Sequence, residues 1–86
     1  MSVIKLYTTQ ICPFCISAKR LLDDKGLSYT EISVDNDPQK RMEMMELSGQ
    51  RTVPQIWIGQ THVGGCSELW SLERQGELDL ILAKAS

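Results

Sequence analysis

The first third of the chain arranges its hydrophobic positions in periods that predict a strand, a helix and a second strand. Residues 3–7 are apolar and β-prone, which is typical of a short buried strand. Good helix formers follow, and the apolar face of this helix is expected at Phe14, Ala18, Leu21 and Leu22. Residues 29–34 then alternate as a strand does. A strand, a helix and a strand within about thirty residues predict a parallel βαβ unit.

A second helix is predicted between Asp37 and Gly49. Asp37 followed by Pro38 combines a capping residue with a proline at the first helical position, and glycine commonly ends a helix. Met42 and Met45 stand at helical spacing within this segment. We interpret these methionines as core side chains rather than as a metal-binding patch.

The last third of the chain predicts a hairpin and further helices. A short apolar strand follows Pro54, and Gly59-Gln60 fits a two-residue type II′ turn. Ser67 is expected to cap a third helix, and residues 78–82 indicate a short final one. The pattern β-α-β-α-β-β-α predicts an α/β fold in which a four-stranded mixed sheet is flanked by three to four helices.

Composition narrows the class of protein. Eighty-six residues predict one domain, residues 1–86, because two cores would not fit in this length. The net charge is −2 and no basic run occurs, so nucleic acid is not an expected partner. No apolar run approaches the roughly 20 residues that span a bilayer, and no signal-peptide pattern is visible. Three cysteines are an odd count, which favours the reducing cytoplasm over a secreted disulfide framework.

The candidate chemistry lies in Cys12-Pro13-Phe14-Cys15, at the predicted start of the first helix. Proline suits the first helical position, so Cys12 becomes the N-cap and Cys15 lies one turn into the helix. The unpaired N–H groups and the helix dipole stabilise an anion at the cap, so Cys12 should ionise more easily than a free cysteine. We therefore expect Cys12 to be the attacking thiol and Cys15 the resolving thiol.

Three motifs together resemble the glutaredoxins, specifically the small dithiol bacterial class, over nearly the whole chain. In the order and at the spacing of that family, the chain carries Cys12-Pro13-Phe14-Cys15, Thr52-Val53-Pro54 and Gly64-Gly65-Cys66. The thioredoxin pattern, with Trp before the first cysteine and Gly-Pro between the two, is absent. Each motif alone is weak evidence, whereas the combination is specific.

The resemblance implies a thioredoxin-like fold with a cis proline at Pro54 that faces the Cys12 sulfur. It also implies that the backbone of Val53 pairs with the cysteinyl part of glutathione, and that a helix start holds the γ-glutamyl carboxylate, as helix N-termini can. Basic residues would clamp the glycyl carboxylate. The residues expected to contact glutathione are Phe14, Arg41, Arg51, Thr52, Val53, Pro54, Gly65, Cys66 and Ser67.

The activity that the resemblance implies is thiol–disulfide exchange. Cys12 would attack a protein disulfide or a protein–glutathione mixed disulfide, and Cys15 or a second glutathione would resolve the product. Glutathione is the expected co-substrate, recycled by a reductase that uses NADPH, and no tightly bound cofactor or metal is expected. The expected partners are glutathione and disulfide-containing or glutathionylated proteins, with ribonucleotide reductase a candidate because the family serves it. We expect a monomer.

The chain departs from the pattern of the family at three positions. Many members carry Asp at the position of Ser67 and Lys near Thr9, and both charges are missing here. We therefore expect weaker glutathione binding and a less stabilised Cys12 thiolate than in relatives that carry both residues. Phe14 replaces a common Tyr, which keeps the ring and loses a hydroxyl.

The same residues are compatible with three alternatives to a redox site. Cys12, Cys15, His62 and Cys66 are spaced C-x2-C and H-x3-C and could form a structural zinc site, although Pro13 builds a helix start rather than a zinc knuckle. Iron–sulfur binding with glutathione as a ligand is thought to be disfavoured by the same proline. A non-catalytic binding module would not need two exposed cysteines at a helix start.

Several residues near these motifs have simpler interpretations. Cys66 is expected to be a small buried hydrophobe rather than a further redox thiol. Trp57 and Trp70 are interpreted as core residues, and His62 as an exposed residue of the hairpin.

Overall fold

One mixed sheet carries the rest of the structure. In this computed structural model, which describes residues 3–85, its strands are β1 (Ile4–Thr8), β2 (Thr30–Ser33), β3 (Gln55–Ile58) and β4 (Thr61–Gly64). The strand order is β2-β1-β3-β4, with β1 and β2 parallel and the other two pairs antiparallel. The four-stranded mixed sheet and the parallel βαβ unit are confirmed. Residues 1, 2 and 86 of the predicted domain lie outside the described residues.

Four helices complete the fold: α1 (Pro13–Asp24), α2 (Pro38–Ser48), α3 (Cys66–Arg74) and α4 (Leu78–Ala85). The predicted ends of α2 are confirmed, because an Asp37 carboxylate oxygen accepts from the Lys40 N–H at 3.1 Å and Gly49 ends the helix at φ +71°. Within residues 3–85, no helix is both long and apolar enough to cross a membrane.

Two hydrophobic clusters pack on opposite faces of β1. Because side chains alternate along a strand, Ile4 and Leu6 join one cluster while Tyr7 joins the other. In the larger cluster, side chains of helices α1, α3 and α4 pack against side chains of strands β1 and β3. Its buried members are Ile4, Leu6, Ala18, Leu21, Leu22, Ile56, Ile58, Cys66, Leu69 and Leu78. Helix α2 supplies Met44 to the smaller cluster, beside Tyr7 and Val34. Buried β1 therefore ends between two packed layers, directly before the cysteine motif.

The structure corrects several predictions about which residues are buried or cap a helix. Phe14 is 67% exposed, because its side chain lines a surface groove instead of joining either hydrophobic cluster. Met42 is exposed and Met44 takes the buried position of α2. Ser67 does not cap α3, because the helix begins at Cys66 and Gly65 occupies the N-cap position, two residues earlier than predicted.

The interpretations of Cys66 and of the two tryptophans are confirmed wholly or in part, whereas that of His62 is wrong. Cys66 is buried in the larger cluster, as expected of a packing residue. Trp57 and Trp70 are only half-buried, yet each packs against a cluster. His62 is also half-buried rather than exposed, because its ring stacks on Trp57 with centroids 4.6 Å apart. Gly59 adopts φ +60°, as the predicted hairpin turn requires.

Removal of a buried leucine should cost far more stability than removal of an exposed one. Leu69 of α3 is fully buried, so Leu69→Ala should lower the free energy of unfolding by about 2–5 kcal/mol. Leu80→Ala of α4 is the matched control: it removes a 61% exposed side chain and should cost less than about 1 kcal/mol. Urea unfolding measures both. Equal losses would contradict the assignment of the core.

Candidate active site

The end of β1 and the start of α1 place Cys12. The backbone of Cys12 is extended, with φ −151° and ψ 101°, and Pro13 opens the helix. The Cys12 Sγ accepts a hydrogen bond from the Cys15 N–H at 3.1 Å, while the Cys12 carbonyl accepts from the Ile16 N–H at 3.0 Å. The predicted N-cap is therefore confirmed, and a backbone donor points at the sulfur on which a negative charge would form.

Cys12 also faces the segment that precedes β3. The Val53–Pro54 peptide bond is cis, as the resemblance implied. The Cys12 thiol donates toward the Val53 carbonyl oxygen, with 3.8 Å between Sγ and O across a sequence separation of 41 residues. Two of the three motifs therefore meet at the Cys12 sulfur, which leaves the residue 7% exposed.

Cys15 occupies a different environment from Cys12, although the two belong to one motif. Its side chain is fully buried, and all three cysteines are free thiols. Burial raises the pKa of the Cys15 thiol well above its ordinary value, and hydrogen bonding to Cys12 adds to this effect, whereas a backbone hydrogen bond with Thr9 opposes it. Cys15 is therefore held as a protonated thiol one helical turn behind the cap sulfur.

A groove of about 280 Å³ lies beside the cysteine motif. It is lined by Phe14, Gln50, Thr52, Val53, Pro54, Gly65, Cys66, Ser67 and Glu68. All of the residues expected to contact glutathione line this groove except Arg41 and Arg51. Arg41 is half-buried in α2, and Arg51 is exposed between two lining residues. The exposed ring of Phe14, which the core does not use, forms one wall.

Close packing joins two sides of the groove at Gly65. A Cβ built on Gly65 would lie 3.3 Å from the Pro54 carbonyl oxygen and 3.3 Å from a Glu68 carboxylate oxygen. Both distances are tighter than ordinary contacts. Glycine at this position therefore allows the start of α3 to approach the cis peptide segment.

Glu68 is a groove residue that the sequence analysis missed. Its carboxylate accepts from the Gly65 N–H at 2.7 Å and from the Ser67 hydroxyl at 2.8 Å. These hydrogen bonds hold the pKa of the Glu68 carboxyl below its usual range, the bond from Gly65 being the largest cause. An acidic residue three positions after a helix cap is a recognised signal that could have found it.

Gln50 is the other groove residue that was missed. It belongs to none of the three motifs, and nothing in the local pattern distinguishes it from an ordinary loop residue.

The zinc alternative is not supported by the geometry of the described residues. Between residues 3 and 85, no three or more His, Cys, Asp or Glu side chains lie together so that they could hold a metal ion. His62 instead stacks on Trp57, and its Nε2 hydrogen-bonds to Oε1 of the Gln55 side chain at 2.8 Å.

Comparison with known proteins agrees with the motifs. A sequence model of the family described as Glutaredoxin matches residues 4–63. The chain belongs to the glutaredoxin family. It is 52% identical to a glutaredoxin of Pseudomonas aeruginosa over 83 residues, which cover 96% of this chain and 99% of that protein. It is 45% identical to glutaredoxin 3 of Escherichia coli over 82 residues, which cover 95% of this chain and 99% of that protein.

The three-dimensional comparison leads to the same family. A crystal structure of a buckwheat glutaredoxin–glutathione complex superposes with a TM-score of 0.88 at 29% identity, covering 96% of this chain and 78% of that one. The predicted fold class, a thioredoxin-like fold, is confirmed. The chain is accordingly a glutathione-dependent thiol oxidoreductase.

The different environments of Cys12 and Cys15 predict selective alkylation. Because the thiolate is the reactive form, iodoacetamide at pH 8 should modify Cys12 of the folded protein and leave Cys15 unmodified, since the pKa of the Cys15 thiol is raised. Tandem mass spectrometry of the peptide that contains both cysteines measures the outcome. In the control, protein unfolded in urea should be modified at both. Modification of Cys15 as fast as Cys12 in the folded protein would contradict the assignment.

Proposed function

We propose that the protein reduces protein disulfides and protein–glutathione mixed disulfides, with Cys12 as nucleophile and Cys15 as resolving thiol. The observation that carries the proposal is the position of the Cys12 sulfur. It accepts a backbone N–H at the start of α1 and lies against the Val53 carbonyl, and Val53 also lines the groove of about 280 Å³.

The first step is attack on a disulfide. The Cys12 thiolate attacks one sulfur of the substrate disulfide, a new S–S bond forms, and the other sulfur leaves as a thiolate that takes up a proton. The Cys15 N–H that bonds to the Cys12 sulfur in the resting protein stabilises its charge before attack. The Cys15 sulfur cannot compete, because burial keeps it protonated.

Two routes complete the reaction and serve different substrates. When a protein disulfide is attacked, Cys15 loses its proton and attacks Cys12 Sγ, which releases the reduced protein and forms the Cys12–Cys15 disulfide. Two molecules of glutathione then reduce that disulfide and become glutathione disulfide. When a glutathionylated protein is attacked at the glutathionyl sulfur, the protein thiol leaves first. A second glutathione then attacks the glutathionyl sulfur on Cys12, which forms glutathione disulfide and releases the Cys12 thiolate, so this route does not need Cys15.

The groove is the proposed binding site for the glutathionyl part of the substrate. We propose that the backbone of Val53 pairs with the cysteinyl unit, beside Thr52 and Pro54, while the start of α3 at Gly65, Cys66 and Ser67 receives the γ-glutamyl end. Phe14 would cover the ligand, and Arg41 and Arg51 would attract its glycyl carboxylate. All of these except the two arginines line one groove beside Cys12.

We propose that residues 1–86 act as one monomeric domain in the cytoplasm, without a tightly bound cofactor. The proposed partners are glutathione and disulfide-containing or glutathionylated proteins, with ribonucleotide reductase a candidate client.

Serine variants of the two cysteines separate the two routes. Reduction of a glutathionylated substrate, followed by NADPH consumption through glutathione reductase, should be lost in Cys12→Ser by at least about 1,000-fold. Cys15→Ser should keep this activity and lose the reduction of a protein disulfide. An inactive parent protein that contains stoichiometric zinc would contradict the proposal. So would a Cys12→Ser variant that remains active.

The missing charges at positions 9 and 67 predict that glutathione binding can be strengthened. Thr9→Lys adds a positive charge that would attract a carboxylate of the bound glutathione. Ser67→Asp adds a negative charge that would attract the ammonium group of the same ligand. Each should lower the KM for a glutathionylated substrate by about 2–10-fold, as expected for one partly exposed charge pair. Thr61→Lys and Ser28→Asp make the same changes at exposed positions away from the groove and should have no effect. An unchanged KM in both test variants would contradict the expectation.

A further inference from the structure

Gln55 is a buried polar side chain that the mechanism above does not use. It is the first residue of β3, directly after Pro54, and none of its surface is exposed. Burying an amide that lacks hydrogen-bond partners costs folding free energy. The partners of the Gln55 amide therefore show which segments the residue holds together. Those partners come from the segment that lines the groove and from β4.

The amide nitrogen of Gln55 faces the groove segment. It donates to the Thr52 carbonyl oxygen at 2.9 Å, to Thr52 Oγ1 at 3.2 Å and to Gln50 Oε1 at 3.0 Å. Since a carbonyl oxygen only accepts, the NH₂ end of the amide must point this way. Thr52 is therefore held at both its backbone and its side chain by one buried group.

The opposite end of the amide is held by β4. The Gln55 carbonyl oxygen lies 2.8 Å from His62 Nε2, which must carry the hydrogen because the oxygen can only accept. His62 is fixed in turn by its ring, which stacks on Trp57 at an interplanar angle of 28°. Trp57 meets Tyr7 of the central strand edge-on, with centroids 5.5 Å apart. The oxygen of the amide is thus hydrogen-bonded to the sheet, and its nitrogen is hydrogen-bonded to the segment that lines the groove.

Residues 50–54 belong to no helix or strand, so side chains have to hold their shape. The Ser48 hydroxyl donates to the Gln50 backbone carbonyl at 3.1 Å, and the Gln55 side-chain amide donates to the Thr52 backbone carbonyl. The next residue, Val53, presents its carbonyl to the Cys12 sulfur. A displacement of Thr52 would therefore move the backbone that lies against the proposed nucleophile and its ligand.

We propose that Gln55, held in place by its hydrogen bond with His62, is a positioning residue. It would keep Thr52 and Val53 in the conformation that binds the glutathionyl group. The inference deepens the proposed function and rests on it. Neither side chain touches the reacting sulfurs, so the effect should fall on substrate binding and far less on turnover.

Two variants test this role from the two ends of the amide. Gln55→Met keeps the length of the side chain and removes its hydrogen bonds, so the KM for a glutathionylated substrate should rise about tenfold while kcat changes less than about twofold. His62→Phe keeps a ring on Trp57 and removes the donor to Gln55, so the KM should rise about threefold. Gln60→Met makes the first change at an exposed turn position and should leave the KM unaltered.

A second measurement does not depend on activity. Backbone ¹⁵N relaxation of the substrate-free proteins should give order parameters near 0.85 for Thr52 and Val53 in the parent, and below about 0.7 in Gln55→Met. Other loops should keep their values. If Gln55→Met fails to fold, His62→Phe decides, since its loss of one donor leaves the stacked ring in place.

The outcomes separate the inference from the function on which it rests. A parent that does not turn over glutathionylated substrate would overturn the proposed function, and the relaxation data would then still decide whether Gln55 fixes the segment. An active parent with an unchanged KM in the folded variants would overturn the inference alone. Unchanged order parameters at Thr52 and Val53 would overturn it as well.

Discussion

The hydrogen bond from the Cys15 N–H to the Cys12 sulfur is the interaction on which the site depends. It exists because Pro13 starts the helix one residue after Cys12, which leaves the cap backbone extended and its sulfur over unpaired N–H groups. β1, which precedes the cysteine motif in the chain, is packed between the two hydrophobic clusters. The cis Val53–Pro54 segment then encloses the sulfur from the opposite side.

The same short motif gives its two cysteines unequal chemistry through their different burial and hydrogen bonds. Cys12 keeps a small exposed surface and a backbone donor, whereas Cys15 is fully enclosed and its thiol pKa is raised. A thiol that stays protonated does not compete for the first attack, but it lies one turn away from the sulfur that it would later attack. The order of the two steps proposed for a protein disulfide therefore follows from solvent exposure rather than from any additional catalytic group.

Local signals in the sequence were sufficient for the elements and the centre of the site. Cap residues and prolines predicted where α1 and α2 begin, whereas the cis Pro54 beside Cys12 was implied only by the resemblance to the glutaredoxins. Phe14 was misjudged because helical periodicity alone does not show where the core ends. Gln55 was not singled out, since its partners at residues 50, 52 and 62 come from other segments, and no periodic pattern encodes a hydrogen bond between them.

The most direct test of the account is to find where glutathione becomes attached. Cys15→Ser protein incubated with glutathione disulfide should form one mixed disulfide, because the resolving thiol that would remove it is absent. Mass spectrometry of the intact protein and of its peptides locates the adduct. The account predicts a single glutathionyl group on Cys12, whose sulfur accepts the backbone N–H of residue 15 at the start of α1, and none on Cys66. An adduct on Cys66 with Cys12 unmodified would contradict the assignment of the nucleophile.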